Sequence, residues 1–467
     1  GLVGSEMCIR DSNSMPPQDR RAAIALSAIF SLRMLGLFLI LPVFALYATD
    51  HLSEVTPTLV GLAIGIYGLT QALLQIPFGV ISDRWGRKRI IAVGLIIFAI
   101  GSAIAALSTS IWGVIVGRAL QGAGAISGPV MALTADLTQE EHRTKAMAMI
   151  GVSIGMSFAL AIVIAPAVAH WIGVSGIFWL IALLAMIGLV LLYTAVPNPR
   201  HSAVHRDAEA VPDQVSGVWG NVQLRRLDFG ILALHAILTS NWVVVPAALR
   251  VYLPTEHHWW IYLPVIVIAM GAMVPFVIIA EKHGRMKPIF LGAVATLAVA
   301  ELLLATFNSS LVGIAVALAV FFIAFNLLEA TLPSLVSKIA PPDAKGTAMG
   351  IYATTQFLGA FLGGALGGFI YGHFGLTAVF LGGAGLALLW LGIATGMSNP
   401  RTVKTHLISI SELNEDQARI LSHRLRTVRG VIEAVVIPGD RTAYLKVDSP
   451  TLDEIALATV TANLIIE

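Results

Sequence analysis

Twelve apolar runs dominate the chain between residues 22 and 397. Each is long enough to carry a helix across about 30 Å of hydrocarbon at about 1.5 Å per residue. The first six lie at 22–48, 58–82, 90–107, 111–135, 147–170 and 177–196; the second six lie at 229–249, 261–280, 288–307, 311–336, 346–371 and 377–397. Lipid offers a backbone no partners, so spanning segments must be helices or closed barrels. No run alternates apolar and polar positions as barrel strands do, which leaves helices.

The polar positions between the runs fall unevenly. Loops after even-numbered runs carry Arg84, Arg87, Lys88 and Arg89, then Arg143 and Lys145, then Arg200, Arg206, Arg225 and Arg226, then Lys282, Arg285 and Lys287, then Lys338 and Lys345. Loops after odd-numbered runs hold almost nothing basic except Arg250. Basic residues stay on the cytoplasmic side, so both termini and the long middle loop are expected there.

That middle loop, 197–226, is polar and Pro-containing, and it splits the chain into six-helix halves at 15–196 and 227–399. The halves echo each other. Ile278–Lys287 (I-I-A-E-K-H-G-R-M-K) follows run eight as I-S-D-R-W-G-R-K follows run two, laying Glu281 on Asp83, Gly284 on Gly86 and Arg285 on Arg87. Arg143–Ala148 and Lys345–Gly350 form a second pair, and two bundles related by an axis along the membrane normal would produce both. Residues 1–14 lack periodicity ahead of Met15 and read as a non-native extension.

Residues 400–467 change character to a charged, soluble segment. Val403–Ile410 reads as a strand, Glu415–Val428 as a helix stopped by Gly430, and Val431–Ile437 and Thr442–Val447 as strands around a P-G-D-R turn. A second helix is expected from Thr451, and N-L-I-I-E as a fourth strand. The order βαββαβ suggests a cytoplasmic ferredoxin-like α+β domain. It lacks the Cys-x-x-Cys of metal-carrying domains of that shape.

Composition narrows the function classes. With 57% apolar and 12% charged residues and mean hydropathy +0.83, the chain is an integral membrane protein; soluble domains carry about twice that charged share. Cys8 is the only cysteine, which removes disulfides, thiolate metal sites and cysteine nucleophiles from the body of the chain. No phosphate-binding loop or catalytic constellation is present. No enzyme activity, cofactor, metal or nucleic-acid partner is therefore expected.

The densest charge lies in Gly79–Ile91, G-V-I-S-D-R-W-G-R-K-R-I-I, where the chain leaves and re-enters the bilayer. Gly79 and Gly86 are expected to ease the turn around Asp83, Arg84, Arg87 and Lys88. Gly117–Ala125, G-R-A-L-Q-G-A-G-A, sets Arg118 inside run four. With the twelve runs and the split into two sixes, these motifs resemble the major facilitator superfamily over residues 20–400.

The resemblance implies a multi-pass transporter of the inner (plasma) membrane: an all-α membrane protein of twelve helices in two pseudo-symmetric bundles. It also implies that Asp83 approaches the start of run eleven near Gly346 and Thr347, while Arg87 pairs with Asp136. A carboxylate beside that helix N-terminus would meet the positive end of its dipole and latch the halves together.

Ionisable residues inside the runs come next, because a charge at the bilayer centre costs about 3 kcal/mol even on lenient scales. They are Arg33, Arg118, His235, Glu301 and Glu329. Arg118 belongs by resemblance to a motif associated with proton coupling. Glu329 reads as a protonation switch, since burial raises an acid's pKa and a nearby base lowers it, or as a fixed partner in a structural ion pair. Arg33 reads as cavity residue or interhelical strut, Glu301 as cavity residue or neighbour-helix partner, and His235 as hydrogen bonder or relay. Tyr67, Gln71, Gln75, Gln121, Asn241, Asn326, Tyr352 and Gln356 could line a substrate site or glue helices together. Run five, Gly151–Pro166, partly matches the superfamily's antiporter motif, with Gly151 and Gly155 expected at close contacts. Ala161 and Ala165 depart from it.

The leading expectation is a drug/proton antiporter-like carrier exchanging a small molecule for protons across the lipid bilayer. Alternatives are a proton-coupled metabolite carrier and a transporter-derived sensor signalling through the C-terminal domain, which could also supply dimer contacts.

Overall fold

The computed structural model describes residues 15–198, 210–398, 404–411, 413–437, 442–448 and 451–462. The expected extension at 1–14, the P-G-D-R turn, the final strand and the middle of the linker lie outside the described residues.

Ten helices among the described residues are each long and apolar enough to cross a membrane. Twelve crossings result because helices break. Span one is Pro17–Leu39 and Leu41–His51, interrupted at Ile40 just ahead of Pro42, whose ring removes a backbone donor. Spans two and three are Pro57–Trp85 and Arg87–Leu107. Span four is Ile111–Ala123 and Ser127–Leu137, parted at Gly124. The 55 residues of Glu140–Thr194 would reach far past a bilayer as one rod, and Gly173 (φ 71°) divides them into spans five and six.

In the second half spans seven to twelve are Val222–Arg250, Trp259–Lys282, Met286–Phe307, Leu311–Ile339, Lys345–Phe374 and Leu376–Thr395. Span seven therefore begins before residue 229, where the apolar run starts, because Asn221 caps the Gln223 and Leu224 amides and lets the polar lead-in wind as helix. Span two likewise carries Asp83 and Arg84 in its last turn.

The halves cross most tightly where the start of span two meets the end of span eleven, away from the Asp83 loop. A Cβ on Gly61 would lie 2.1 Å from the Gly364 carbonyl, on Gly65 2.7 Å from that of Phe361, and on Gly68 2.4 Å from that of Phe357. Only glycines permit this approach. Arg250 and Asp50 pair across the same end at 2.8 Å. Nearer mid-membrane, Phe158 of span five packs on Phe322 and Phe325 of span ten at 6.2 and 5.7 Å between ring centres. Gly151 and Gly155, expected at close contacts, have nothing within 4 Å of an added Cβ.

The C-terminal domain forms strands β1 (Lys404–Ser409), β2 (Val431–Val436) and β3 (Thr442–Val447) in the antiparallel order β1-β3-β2. The helix Glu415–Thr427, opened by an Asn414–Gln417 capping box, lays Ala418, Leu421 and Leu425 on a core with Ala434, Leu445 and Val447. The second helix is Glu454–Ala462. Lys446 holds the domain against the membrane bundle, its Nζ 3.3 Å from the Ile339 carbonyl at the end of span ten. Burial there pushes its ammonium pKa down, offset in part by Glu433 at 3.8 Å.

Candidate functional site

Gly86 makes the turn between spans two and three with φ 92°, a conformation costly for any side chain. Gly284 repeats it at φ 64° in the second half, as the internal repeat predicts. Gly79, by contrast, sits within the helix with nothing within 4 Å of an added Cβ, so the turn rests on one glycine.

Arg87 follows the turn, is 2% exposed and joins two acids. Its Nη1 lies 2.5 Å from Asp83 Oδ1, and its Nε 2.8 Å from the buried Asp136 Oδ2 at the end of span four. Lys88 ties the same loop to the end of span six through the Val196 carbonyl at 2.6 Å and Asn198 at 2.9 Å. Arg84 is exposed.

The expected approach of Asp83 to Gly346 and Thr347 is replaced here by other partners. Thr347 Oγ1 accepts the Val211 amide at 2.9 Å and bonds Gln214 at 3.0 Å, while Gln214 donates to the Asp343 carbonyl at 3.0 Å. The linker thus covers the start of span eleven, and Asp83 keeps to its own half. The close crossing of the halves at Gly61 and Gly364 thus lies at the end away from Asp83, which pairs with Arg87 of its own half.

Inside the first half, the break in span four frees the Gly124 carbonyl. Arg33 fills it, donating Nη2 there at 2.9 Å and to Gln71 at 2.7 Å. Gln71 continues to Ser127 at 3.2 Å, and Ser127 donates to Gln75 at 3.1 Å. Arg118 donates to the Ala63 and Ile64 carbonyls and to Gln121, which passes on to Ser102 at 2.8 Å. Both guanidiniums lie over Tyr67, at 5.8 and 5.2 Å from its ring centre. Arg33, also against Phe98 at 5.3 Å and 1% exposed, is therefore an interhelical strut; among the described residues its Nε and Nη1 have no hydrogen-bond partner.

The second half is organised differently. Glu301 is fully buried and accepts from Asn241 at 2.6 Å, with Gly383 leaving room for its other oxygen. This pair is a strut between spans seven and nine rather than a cavity lining. Glu329 of span ten faces His235 of span seven at 3.4 Å, and His235 meets Gln356 of span eleven at 2.8 Å. Asn326 stands half-buried one turn before Glu329, and Tyr352 is buried with a hydroxyl that has no hydrogen-bond partner among the described residues.

One residue escaped the sequence reading. Asp228 is 5% exposed within span seven, but in R-R-L-D it looked like part of the polar lead-in. The Asn221 cap, which starts the helix at Val222, is the signal that could have shown it. Among the described residues no group of three or more His, Cys, Asp or Glu side chains could hold a metal ion.

Twelve crossings in two repeated halves, with a charged turn after span two, define a membrane transporter of the major facilitator type. The sequence profile of the Major Facilitator Superfamily matches residues 26–279 and 227–430, and the chain belongs to that family. It is similar to the inner membrane transport protein YajR of Escherichia coli strain K12, 47% identical over 93% of this chain and 96% of that protein. Among solved structures, a bacterial homolog of the human lysosomal transporter Spinster, inward-facing and occupied, superposes with a TM-score of 0.67 at 14% identity over 82% of this chain and 97% of that one. The human organic anion transporter MFSD10 gives 0.60 at 21% identity over 81% and 100%. At those identities the two structures attest to the fold alone.

Proposed function

We propose that this transporter is a proton-coupled secondary carrier of a small molecule working by alternating access, with drug/proton antiporter-like efflux as the leading reading. The observation that carries it is the unequal closure of the two ends. Spans two and eleven approach closely at the glycine crossing of one end, while at the other Asp83 pairs with Arg87 within its own half, which supports a cleft opening at the Asp83 end. The basic loops mark the Asp83 end, and both termini, as cytoplasmic, so the cleft faces inward. Glu329, beside His235 within the second half, is the proton-carrying group: its charge state changes as rocking of the halves opens and closes the cleft beside it. Arg118 holds the neighbouring wall of the cleft in place.

Purified protein in liposomes with an interior pH dye provides the test. Addition of lipophilic cations is expected to move protons in the wild type, and Glu329→Gln is expected to abolish that flux. Substrate binding with flux at background in the wild type would overturn the reading. It would favour a sensor instead, for which the Lys446 contact to span ten offers a route into the C-terminal domain.

A further inference from the structure

The two halves begin alike. Span one opens on Gln18, Asp19, Arg20 and Arg21 and span seven on Gln223, Leu224, Arg225 and Arg226, so each bundle sets a pair of arginines in its first helix, on the face of the basic loops. The ends of spans six and twelve match as well: Lys88 holds the Val196 carbonyl at 2.6 Å and Lys287 the Met397 carbonyl at 2.5 Å. The arginine pairs differ. In the second half Arg226 donates to the Gly396 carbonyl just past span twelve, and Gln223 accepts the Ser398 amide at 3.2 Å, so protein covers that end. In the first half, among the described residues, no side-chain hydrogen bond or ion pair reaches Arg20 or Arg21. Asp19, the acid beside them, is buried and accepts the Gln139 amide at 2.9 Å instead.

Those two arginines stand at the mouth of a groove. Spans one and six run antiparallel and touch along their middles, where an added Cβ on Gly36 would lie 3.0 Å from Ile181 and one on Gly188 3.7 Å from Ile29. Toward the start of span one they part, leaving an open groove of about 370 Å³. Arg20, Arg21, Ile24 and Ala28 line one wall, and Leu191 and Ala195 the other. Arg20, Ile24 and Ala28 are spaced four apart on one helix face, so the groove runs about 12 Å from a basic mouth to an apolar end. Ile24 is exposed within it. Leu183 and Ile187, on the same stripe of span six as Leu191 and Ala195, are exposed apolar side chains in the spanning region, so the groove opens onto lipid.

Charge and shape together select the occupant. Two unpaired guanidiniums side by side favour a phosphate oxygen, and basic pockets between helices at the membrane surface take anionic lipid headgroups. A small soluble anion would satisfy the arginines and leave Ile24, Ala28 and Leu191 uncovered. An acyl chain joined to the phosphate covers both.

We propose that the groove between spans one and six binds an anionic phospholipid, its phosphate held by Arg20 and Arg21 and one acyl chain laid over Ile24, Ala28, Leu191 and Ala195. In the second half Arg226 and the Gly396 carbonyl close the matching end from within, so one such lipid per chain is expected. The site goes beyond the transport reading and does not depend on proton coupling.

Native mass spectrometry of the full chain in detergent, with palmitoyl-oleoyl phosphatidylglycerol or the matching phosphatidylcholine added, tests it. One phosphatidylglycerol is expected to stay bound under activation that strips phosphatidylcholine. Arg20→Gln combined with Arg21→Gln is expected to weaken that binding about tenfold, while Arg225→Gln, the exposed counterpart in span seven, leaves it unchanged. Equal retention of the two lipids, no change in the double variant, or an equal loss in Arg225→Gln overturns the inference. Excess glycerol phosphate is expected not to displace the lipid, and displacement would contradict the part given to the apolar wall. Phosphatidylglycerol carrying a diazirine in its acyl chain reads the wild type in membranes, where no variant has to fold. Crosslinks are expected at 24–28 and 191–195 in excess over the start of span seven and the end of span twelve; an even spread around the bundle overturns the proposal.

Discussion

The polar interior of the first half is built from arginines and that of the second from carboxylates. Arg33 and Arg118 keep their charge at any accessible pH, and their bonds run to backbone carbonyls, glutamines and the face of Tyr67. Glu301, Glu329 and Asp228 can each lose theirs, and only Glu301 is tied by a short bond, to Asn241. Two bundles of one repeated plan thus differ in their interiors: arginines bonded to the backbone in one and carboxylates in the other.

The same contrast appears at the paired turns. Gly86 and Gly284 share a positive φ, yet Asp83 is locked through buried Arg87 to Asp136, whereas Glu281 makes an exposed pair with Lys338.

Breaking the first-half turn is expected to have the largest effect. Arg87→Ala would remove the guanidinium paired with the buried Asp136 and cost about 3–5 kcal/mol, read as thermal stability in detergent. Arg118→Leu, which leaves the Ala63 and Ile64 carbonyls and the Gln121 Oε1 without their side-chain donor, is expected to cost about 2–3 kcal/mol. Gly364→Ala forces a methyl against the Gly61 carbonyl and is expected to cost about 1–3 kcal/mol while loosening the sealed end, seen as faster cysteine labelling there. Glu301→Gln keeps an acceptor for Asn241 and is expected to stay within about 1 kcal/mol; a loss equal to that of Arg118→Leu would erase the contrast between the halves. Arg250→Ala removes a half-exposed pair and is expected to change stability by about 0–1 kcal/mol.

Much of the fold was legible because bilayer thickness and basic loops leave little freedom. All twelve runs became spans, and the Asp83–Glu281 repeat foretold two turns with the same left-handed glycine. The site was legible less evenly. Arg87 meets Asp136 as expected, since both stand at helix ends on one face. The direction in which Arg33 and Glu301 point was not, because apolar runs without a polar stripe do not say which side of a helix faces a cleft. Asp228 was hidden by the polar R-R-L-D lead-in ahead of the apolar run, and the linker's cover over Thr347 by its distance along the chain.

The proposed alternating access through a clasp at the Asp83 end is open to a direct measurement. Spin labels on Ile81 of span two and Ser337 of span ten, in a chain with Cys8 replaced, report the gap at that end. Two distance populations are expected, with Asp83→Asn depleting the shorter one; a single distance, unchanged by that substitution and by pH, would contradict the account.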